Sequence, residues 1–156
     1  MAELALSDAE RSFLRACNEL GIRYLVVGLG AAVLQGADTV TADIDLWFAD
    51  RGDARIHEAA RRAGGLWIPG HFGMMPPMLG GEALSDRFDV VTTMSGLPHF
   101  DAEYAHAHTI ELDGLPVRVL PLARIIHSKR SAGRPKDLAV LPALEAALAA
   151  QEDAEG

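Results

Sequence analysis

The chain has 156 residues, of which 49% are hydrophobic, with a formal net charge of −8 and one cysteine. This length predicts one α/β domain with its own core over residues 1–150, followed by a frayed tail at 151–156. The negative charge argues against a broad nucleic-acid surface, and a single cysteine excludes a disulfide framework. Since no apolar run approaches membrane-spanning length, we expect a cytoplasmic protein without a membrane partner.

The first predicted elements are a helix, a strand and a second helix that begins at a glycine turn. Apolar residues on one face predict a helix over 8–20. A strand over 23–27 then meets Gly28 and Gly30, whose conformational freedom permits a sharp turn and the close approach of a ligand. The free amide groups of a helix over 30–36 would face that ligand, so a phosphate is expected there.

Two carboxylates follow on the next strand, which is predicted over 43–48. Because strand side chains alternate, Asp43 and Asp45 project from one face, about 6–7 Å apart. Their repulsion costs stability unless a divalent cation bridges them, and Mg²⁺ typically binds through few carboxylates plus substrate phosphates. A Gly-x-Gly turn alone is common, and a lone Asp-x-Asp pair is often a solvated strand edge. Their order within one strand–turn–helix–strand unit favours a phosphate and metal site.

The middle of the chain is less regular. A helix is predicted over 53–63, and β-forming residues predict a strand over 87–93 that includes Asp89. This carboxylate is either an exposed residue of a half-buried strand or a third functional acid. Residues 64–81 are rich in Gly, Pro and Met and show no period, which is typical of a substrate loop or of an irregular buried connection.

The last third predicts a hairpin and two helices. The hairpin strands are 106–112 and 116–120, joined at Asp113-Gly114. The helical region carries a local cationic cluster in an acidic chain, either as a solvated helix face or as a phosphate-binding surface. This cluster consists of Arg124, Lys129, Arg130, Arg134 and Lys136.

Three other chemistries lack residues that they require. His106 and His108 would share a strand face, but no Cys or third ligand stands at a zinc-binding spacing. The Gly-x-Ser-x-Gly pattern of a nucleophile elbow does not occur. Val33 replaces the third glycine of the dinucleotide-binding pattern.

The run from 24 to 46 resembles the signature of the nucleotidyltransferase superfamily, which has the polymerase-β-like fold. It looks most like small single-domain bacterial members, of the minimal and toxin–antitoxin types. The matching positions are Gly28, Ala31, Gly36, Thr41, Asp43, Ile44, Asp45 and Leu46. Leu29 stands where the family has a second Gly or a Ser, and Thr39 stands where many relatives carry Arg. The resemblance implies a central mixed β-sheet flanked by helices.

The resemblance also implies the roles of individual residues. Asp89, followed by two valines and a Ser-Gly turn, is similar to the family's third-carboxylate strand, so Asp43, Asp45 and Asp89 would be catalytic and would hold Mg²⁺ or Mn²⁺. Near the C-terminus, the ending from Lys129 through Ala-Gly-Arg-Pro-Lys-Asp at 132–137 also matches. The implied nucleotide-binding residues are Gly28, Leu29, Gly30, Thr41, Lys129, Arg134 and Lys136.

The function implied by the resemblance is metal-dependent transfer of a nucleoside monophosphate from an NTP to an acceptor hydroxyl, with release of pyrophosphate. The acceptor could be RNA such as a tRNA end, a protein or a small molecule. Such enzymes often pair with a small helical partner protein, and a homodimer is one way to complete an acceptor pocket. The alternative is a non-catalytic module of the same fold that binds a nucleotide or a partner; Leu29 and Thr39 favour it, whereas three intact carboxylates oppose it.

Overall fold

The computed structural model describes residues 4–70 and 75–155 as alternating strands and helices. The strands are β1 (Tyr24–Val27), β2 (Ile44–Phe48), β3 (Leu66–Ile68), β4 (Met78–Gly80), β5 (Phe88–Val91), β6 (His108–Leu112) and β7 (Leu115–Val119). The helices are α1 (Asp8–Glu19), α2 (Gly28–Leu34), α3 (Arg55–Arg62), α4 (Glu82–Ser85), α5 (Phe100–Ala105), α6 (Leu122–Ala132) and α7 (Pro135–Glu155). No helix in these ranges is long and apolar enough to cross a bilayer.

The central sheet has five strands in the order β5-β2-β1-β7-β6. It is mixed, because β1 and β2 are antiparallel while β1 pairs with β7, and β2 with β5, in parallel. The predicted hairpin is present as the antiparallel pair β6 and β7. The predicted fold class, a mixed sheet with flanking helices, is therefore confirmed.

The strand register brings the predicted acids together. Asp45 on β2 is paired with Asp89 on β5 and, on its other side, with Val27 at the end of β1. Gly28 follows Val27 directly, so the glycine turn and two carboxylates lie on three adjacent strands. Residues far apart in sequence thus meet at one place on the sheet.

Helix α1 covers the opposite side of these strands. Ser7 caps the helix through the Glu10 backbone amide, and the Glu10 carboxylate accepts a bond from the Ser7 amide in return. Phe13 packs against aromatic rings of β2 and β5, with ring centroids 6.4 Å from Phe48 and 5.6 Å from Phe88. Such packing stabilises the helix far more than its intrinsic propensity does.

An ion pair ties α1 to the beginning of β5. The Glu10 carboxylate is buried and accepts from the Arg87 guanidinium, with 3.0 Å between Arg87 Nε and Glu10 Oε2. The Arg87 carbonyl also accepts from the Ile44 amide of β2 at 2.7 Å. Because Arg87 lies two residues before Asp89, these contacts fix the strand that carries the third acid.

The two last helices are joined by a tight turn. Gly133 adopts the left-handed conformation (φ 63°) that ends α6, and its amide donates to the Lys129 carbonyl. Pro135 occupies the first turn of α7, where its missing N–H costs nothing. Helix α6 packs against both α2 and α7. The α6–α7 junction thereby approaches the glycine turn.

Several elements differ from the sequence-based expectation. Helices α4 and α5 were not predicted because each has at most six residues, too few to show a helical period. Within 64–81, β3 and β4 pair and bury Trp67 against Leu79, but three-residue strands leave no readable alternation. The central residues of that segment, 71–74, lie outside the described residues.

Predicted boundaries also differ, and two of them change the interpretation of the sequence. Helix α2 begins at Gly28 rather than at residue 30, so Gly30 lies inside the helix. Residues 151–155, expected as part of a frayed tail, continue α7. The alanines and glutamates from residue 145 onward have high helix propensity, which sustains the helix to this point.

Candidate active site

A cleft of about 400 Å³ lies between the ends of β1 and β2 and the helices α6 and α7. The segment that follows β5 forms a further wall. The polar side chains that line the cleft are Asp45, Thr93, Ser95, Ser128, Lys129, Arg134 and Asp137. Carboxylates and cations thus face one space.

Gly28 leaves the space that the carboxylate of Asp45 occupies. The glycine adopts a positive φ of 67°, a conformation that L side chains rarely take. A Cβ at this position would overlap Asp45 Oδ2. Any other residue would therefore be strained and would also displace the carboxylate, so the glycine is needed for both reasons.

Asp45 sits in a negatively charged setting. Its pKa is raised to about 6, first by burial and then by the neighbouring charges of Asp89 and Asp43. The positive charge of Lys129 acts in the opposite direction. The shift shows that ionised Asp45 is stabilised less well in the protein than in water, which is the situation a bound cation would relieve.

Asp43 and Asp89 are both exposed and, unlike Asp45, are not among the residues that line the cleft. Asp43 lies immediately before β2, where its backbone amide donates to Thr41 Oγ1 at 3.2 Å. Thr41 thus shapes the turn into β2 and is not among the cleft-lining residues. In residues 4–70 and 75–155, no three His, Cys, Asp or Glu side chains are already grouped closely enough to hold a metal ion. Asp45 and Asp89 are partners in register, but the three acids are not grouped at metal-binding spacing.

The other residues of the glycine turn face away from the cleft lining. Gly30 lies inside α2 and packs against β2, since a Cβ there would come within 3.1 Å of the Asp43 carbonyl oxygen. Leu29 is partly buried against the core. Gly30 thus lets the helix approach the strand that carries the acids, and Gly28 alone of the three lines the cleft.

Lys129 and Arg134, two of the expected nucleotide-binding residues, line the cleft, and both are paired with Asp137. Lys129 Nζ is 3.4 Å from Asp137 Oδ1, and Arg134 Nε is 2.6 Å from Asp137 Oδ2. These cations lower the pKa of Asp137, mainly through the hydrogen bonds from Arg134. Lys136, the remaining predicted cation, is exposed and does not line the cleft.

Sequence reasoning assigned no role to Asp137, Ser128 or the segment after β5. Asp137 was part of the matched C-terminal ending, yet its burial beside Lys129 depends on the α6–α7 turn. Ser128 could have been found from spacing, since residues 125, 128, 129 and 132 share one helical face of α6 and all line the cleft. The segment after β5 is held by His127, whose Nε2 lies 3.1 Å from the Gly96 carbonyl oxygen.

Comparisons with known proteins identify the fold. No protein-family model matches the chain, and no curated protein matches it. A crystal structure of ANT(2'')-Ia with adenylyl-2''-tobramycin matches at 15% identity and a TM-score of 0.56, over 90% of this chain and 88% of that one.

Two further solved structures agree. The solution structure of the antibiotic-resistance factor ANT(2'')-Ia matches at 16% identity and a TM-score of 0.52, over 94% of this chain and 95% of that one. An antigenic nucleotidyltransferase-like protein from Paracoccidioides brasiliensis matches at 16% identity and a TM-score of 0.51, over 90% of this chain and 78% of that one. The chain has a nucleotidyltransferase fold. The fold expected from the resemblance is therefore confirmed.

Proposed function

We propose that the protein is a metal-dependent nucleotidyltransferase. The observation that carries this proposal is that Asp45, which lines the cleft together with Lys129 and Arg134, is paired in register with Asp89 on the adjacent strand. An NTP has both a metal-binding and an anionic part; the cleft provides Asp45, with Asp89 beside it in register, for the first, and cations for the second. The fold shared with nucleotidyltransferases supports this assignment.

In the proposed reaction, the acids and the cations would have different roles. Asp43, Asp45 and Asp89 would hold Mg²⁺ or Mn²⁺, since carboxylate oxygens are hard ligands that suit these ions. When bound, the metal would stabilise negative charge on the triphosphate. Lys129 and Arg134 would offset phosphate charge from the helical side, and the exposed Asp89 would accept the proton of the attacking hydroxyl. The α-phosphate would bond to that hydroxyl oxygen as its bond to pyrophosphate breaks.

The residues of the cleft indicate an NTP as the nucleotide donor, but they do not select one class of acceptor hydroxyl. The neighbour complexed with adenylyl-2''-tobramycin carries a nucleotide joined to a small molecule, which supports a small-molecule hydroxyl as one acceptor class for this chain. RNA and protein hydroxyls are the other two classes. A small helical partner protein, as in toxin–antitoxin pairs, and a homodimer that completes the acceptor pocket are parts of the proposal that need their own tests.

A non-catalytic nucleotide-binding module is the second candidate. It is favoured by Leu29 in the glycine turn and by the three acids, which are not grouped at metal-binding spacing. Retention of all three carboxylates favours the enzyme instead, because a binding module has no need for adjacent acids that repel one another.

The proposal is tested with NTPs labelled at the α-phosphate. Each NTP is incubated with Mg²⁺ or Mn²⁺ and with RNA, protein and small-molecule fractions, using the wild type and the variants Asp43→Ala and Asp89→Ala. We expect label in one fraction with the wild type and loss of about 10³-fold or more with either variant. Nucleotide binding without label in any fraction would favour the binding module, and near-normal transfer by both variants would refute the assigned roles.

A further inference from the structure

Asp137 is the most completely paired carboxylate of the cleft. Its side chain is 1% exposed, whereas Lys129 is 21% and Arg134 is 58% exposed. Oδ2 accepts from the backbone amide of Arg134 at 3.2 Å and from Nε at 2.6 Å. Oδ1 accepts from Arg134 Nη2 at 3.2 Å and from Lys129 Nζ at 3.4 Å. Since its oxygens are occupied, Asp137 is a poor candidate for a ligand of substrate or metal.

The position of Asp137 explains how one carboxylate reaches both cations. Helix α6 ends at Gly133, and Asp137 is the third residue of α7, so the tight turn folds its side chain back towards Lys129. The bond to the Arg134 amide satisfies one of the free N–H groups at the start of α7. Helix capping alone would account for that bond, but it does not require the bond to Lys129.

Lys129 lies between two sets of acids. Its ammonium group donates a hydrogen bond to Asp137 Oδ1. Across the cleft, its positive charge acts to lower the pKa of Asp45. An ammonium group has three donors, so the bond to Asp137 leaves the others for a ligand. A lysine has four rotatable side-chain bonds and loses much conformational freedom when it is held in one place. A fixed neighbour that holds it before a ligand arrives reduces the entropic cost of binding.

We propose that Asp137 is a positioning residue, which orients Lys129 and Arg134 towards the phosphates of the nucleotide. This inference rests on the proposed function, because it supposes that an NTP occupies the cleft. Asp137 acts through Lys129 and does not itself touch the reacting atoms. Its loss therefore weakens nucleotide binding and leaves the carboxylate end of the cleft unchanged.

The chain offers a direct readout, because Lys129 and Lys136 are its only lysines. Lysine-selective ¹³C labelling gives two side-chain signals, which Lys136→Arg assigns. In the wild type we expect restricted motion at the Lys129 Cε and free motion at the exposed Lys136. Addition of an NTP with Mg²⁺ should shift the Lys129 signal and leave that of Lys136 in place.

Asp137→Asn keeps the size of the side chain and removes its charge. We expect Lys129 to become as mobile as Lys136 and the dissociation constant for the NTP to rise about 10- to 100-fold, as for a lost charged hydrogen bond. In a double-mutant cycle with Lys129→Met, the second substitution should add little to the first, because both remove the same interaction. Glu103→Gln is the matched control: Glu103 is also buried and paired with an arginine, Arg124, but lies outside the cleft lining.

The outcomes separate this inference from the proposed function. If no NTP binds or shifts the Lys129 signal in the wild type, the proposed function fails and the inference falls with it. If an NTP binds the wild type but Lys129 is already as mobile as Lys136, Asp137 does not position it, whether or not Asp137→Asn folds. Unchanged NTP affinity in a folded Asp137→Asn variant, additive effects in the cycle, or an equal loss in Glu103→Gln would each overturn the inference.

Discussion

The two ends of the cleft present the same side chain in opposite electrostatic settings. At one end, burial and the charges of Asp89 and Asp43 raise the pKa of Asp45 to about 6. At the other end, hydrogen bonds from Arg134, with a contribution from Lys129, hold the pKa of Asp137 well below its usual range. Both carboxylates line one cleft, so the difference arises from their neighbours.

Under the proposed function, the two electrostatic settings suit two roles: metal binding at the Asp45 end and the positioning of cations at the Asp137 end. A carboxylate held beside other acids destabilises the folded protein and leaves its oxygens available to an external cation. A carboxylate saturated by arginine and lysine stabilises the fold and has no free oxygen to offer. Under the proposed function, we therefore expect the reaction at the Asp45 end and the positioning of cations at the Asp137 end.

Asp45→Asn should produce the largest effect on activity. We expect nucleotidyl transfer to fall about 10³-fold, because the acids would hold the metal that stabilises the triphosphate. The free energy of unfolding of the metal-free protein at pH 7 should stay the same or increase, since the substitution removes repulsion with Asp89. Label transfer and urea unfolding in the presence of a chelator measure the two effects. Asp86→Asn is the control, because Asp86 is exposed and lies three residues before Asp89. A large loss of stability in Asp45→Asn would contradict the difference drawn between Asp45 and Asp137.

Asp137→Asn should show the opposite balance in stability. We expect unfolding to become easier by about 2 kcal/mol at pH 7, because the charge paired with Arg134 and Lys129 is lost, although the asparagine oxygen can still accept from the Arg134 amide. A carboxylate whose pKa is lowered in the folded state stabilises it above its unfolded pKa, and this contribution disappears as the pH falls through the folded value. The difference from wild type should therefore shrink below about pH 4 towards pH 2, which unfolding curves across this range would show.

The exposed ion pair on the same two helices provides the reference for that variant. Glu145 pairs with Arg130 at the surface, so Glu145→Gln should change stability by about 0–1 kcal/mol. Equal losses in Asp137→Asn and Glu145→Gln would mean that burial of Asp137 contributes nothing to the stability of the helical end.

Gly28→Ala should have a smaller effect on stability and a specific effect on activity. Its cost combines backbone strain with the overlap between the new Cβ and Asp45, whereas Gly64→Ala has a similar φ of 82° with open space around it. We expect both variants to lose about 1–2 kcal/mol from strain, and Gly28→Ala alone to lose transfer activity. Thermal unfolding and label transfer on the pair separate the two causes; equal activity in both would show that Asp45 does not depend on the glycine.

Lys136→Ala should have the smallest effect. Lys136 is exposed and outside the cleft lining, so we expect the dissociation constant for an NTP to change less than about threefold. Lys129→Ala, by contrast, should weaken binding about tenfold or more, since it removes a charged hydrogen bond to a phosphate. Calorimetric titration of both variants tests the difference, and equal losses would place Lys136 at the nucleotide after all.

The sequence predicted the carboxylate end of the cleft far better than the helical end. Asp43 and Asp45 lie within one local unit, where the period of a strand and the position of a glycine determine the geometry. The strand that carries Asp89 could be predicted from its β-forming residues, although its parallel pairing with β2 depends on the whole topology. Local pattern was thus enough to place Asp43 and Asp45 on one segment, whereas the position of Asp89 beside them depends on the strand order.

The helical end depends on long-range packing that no local pattern contains. The contact between Lys129 and Asp137 requires a specific turn, the burial of one carboxylate and the docking of α6 against α2. A basic tract alone does not show which cations line a cleft, and here Lys129 and Arg134 do while Lys136 does not. The strands β3 and β4 were missed for a related reason, because they are defined by burial of Trp67 and Leu79 and not by their own period.

The most direct test of the account is the stoichiometry of the reaction in the wild type and in Asp45→Asn. Pyrophosphate release and incorporation of the α-phosphate label are measured together, with the preferred NTP and acceptor. The account predicts one pyrophosphate per label incorporated by the wild type and neither product from Asp45→Asn. Release of inorganic phosphate in place of pyrophosphate, or equal incorporation by Asp45→Asn, would contradict it.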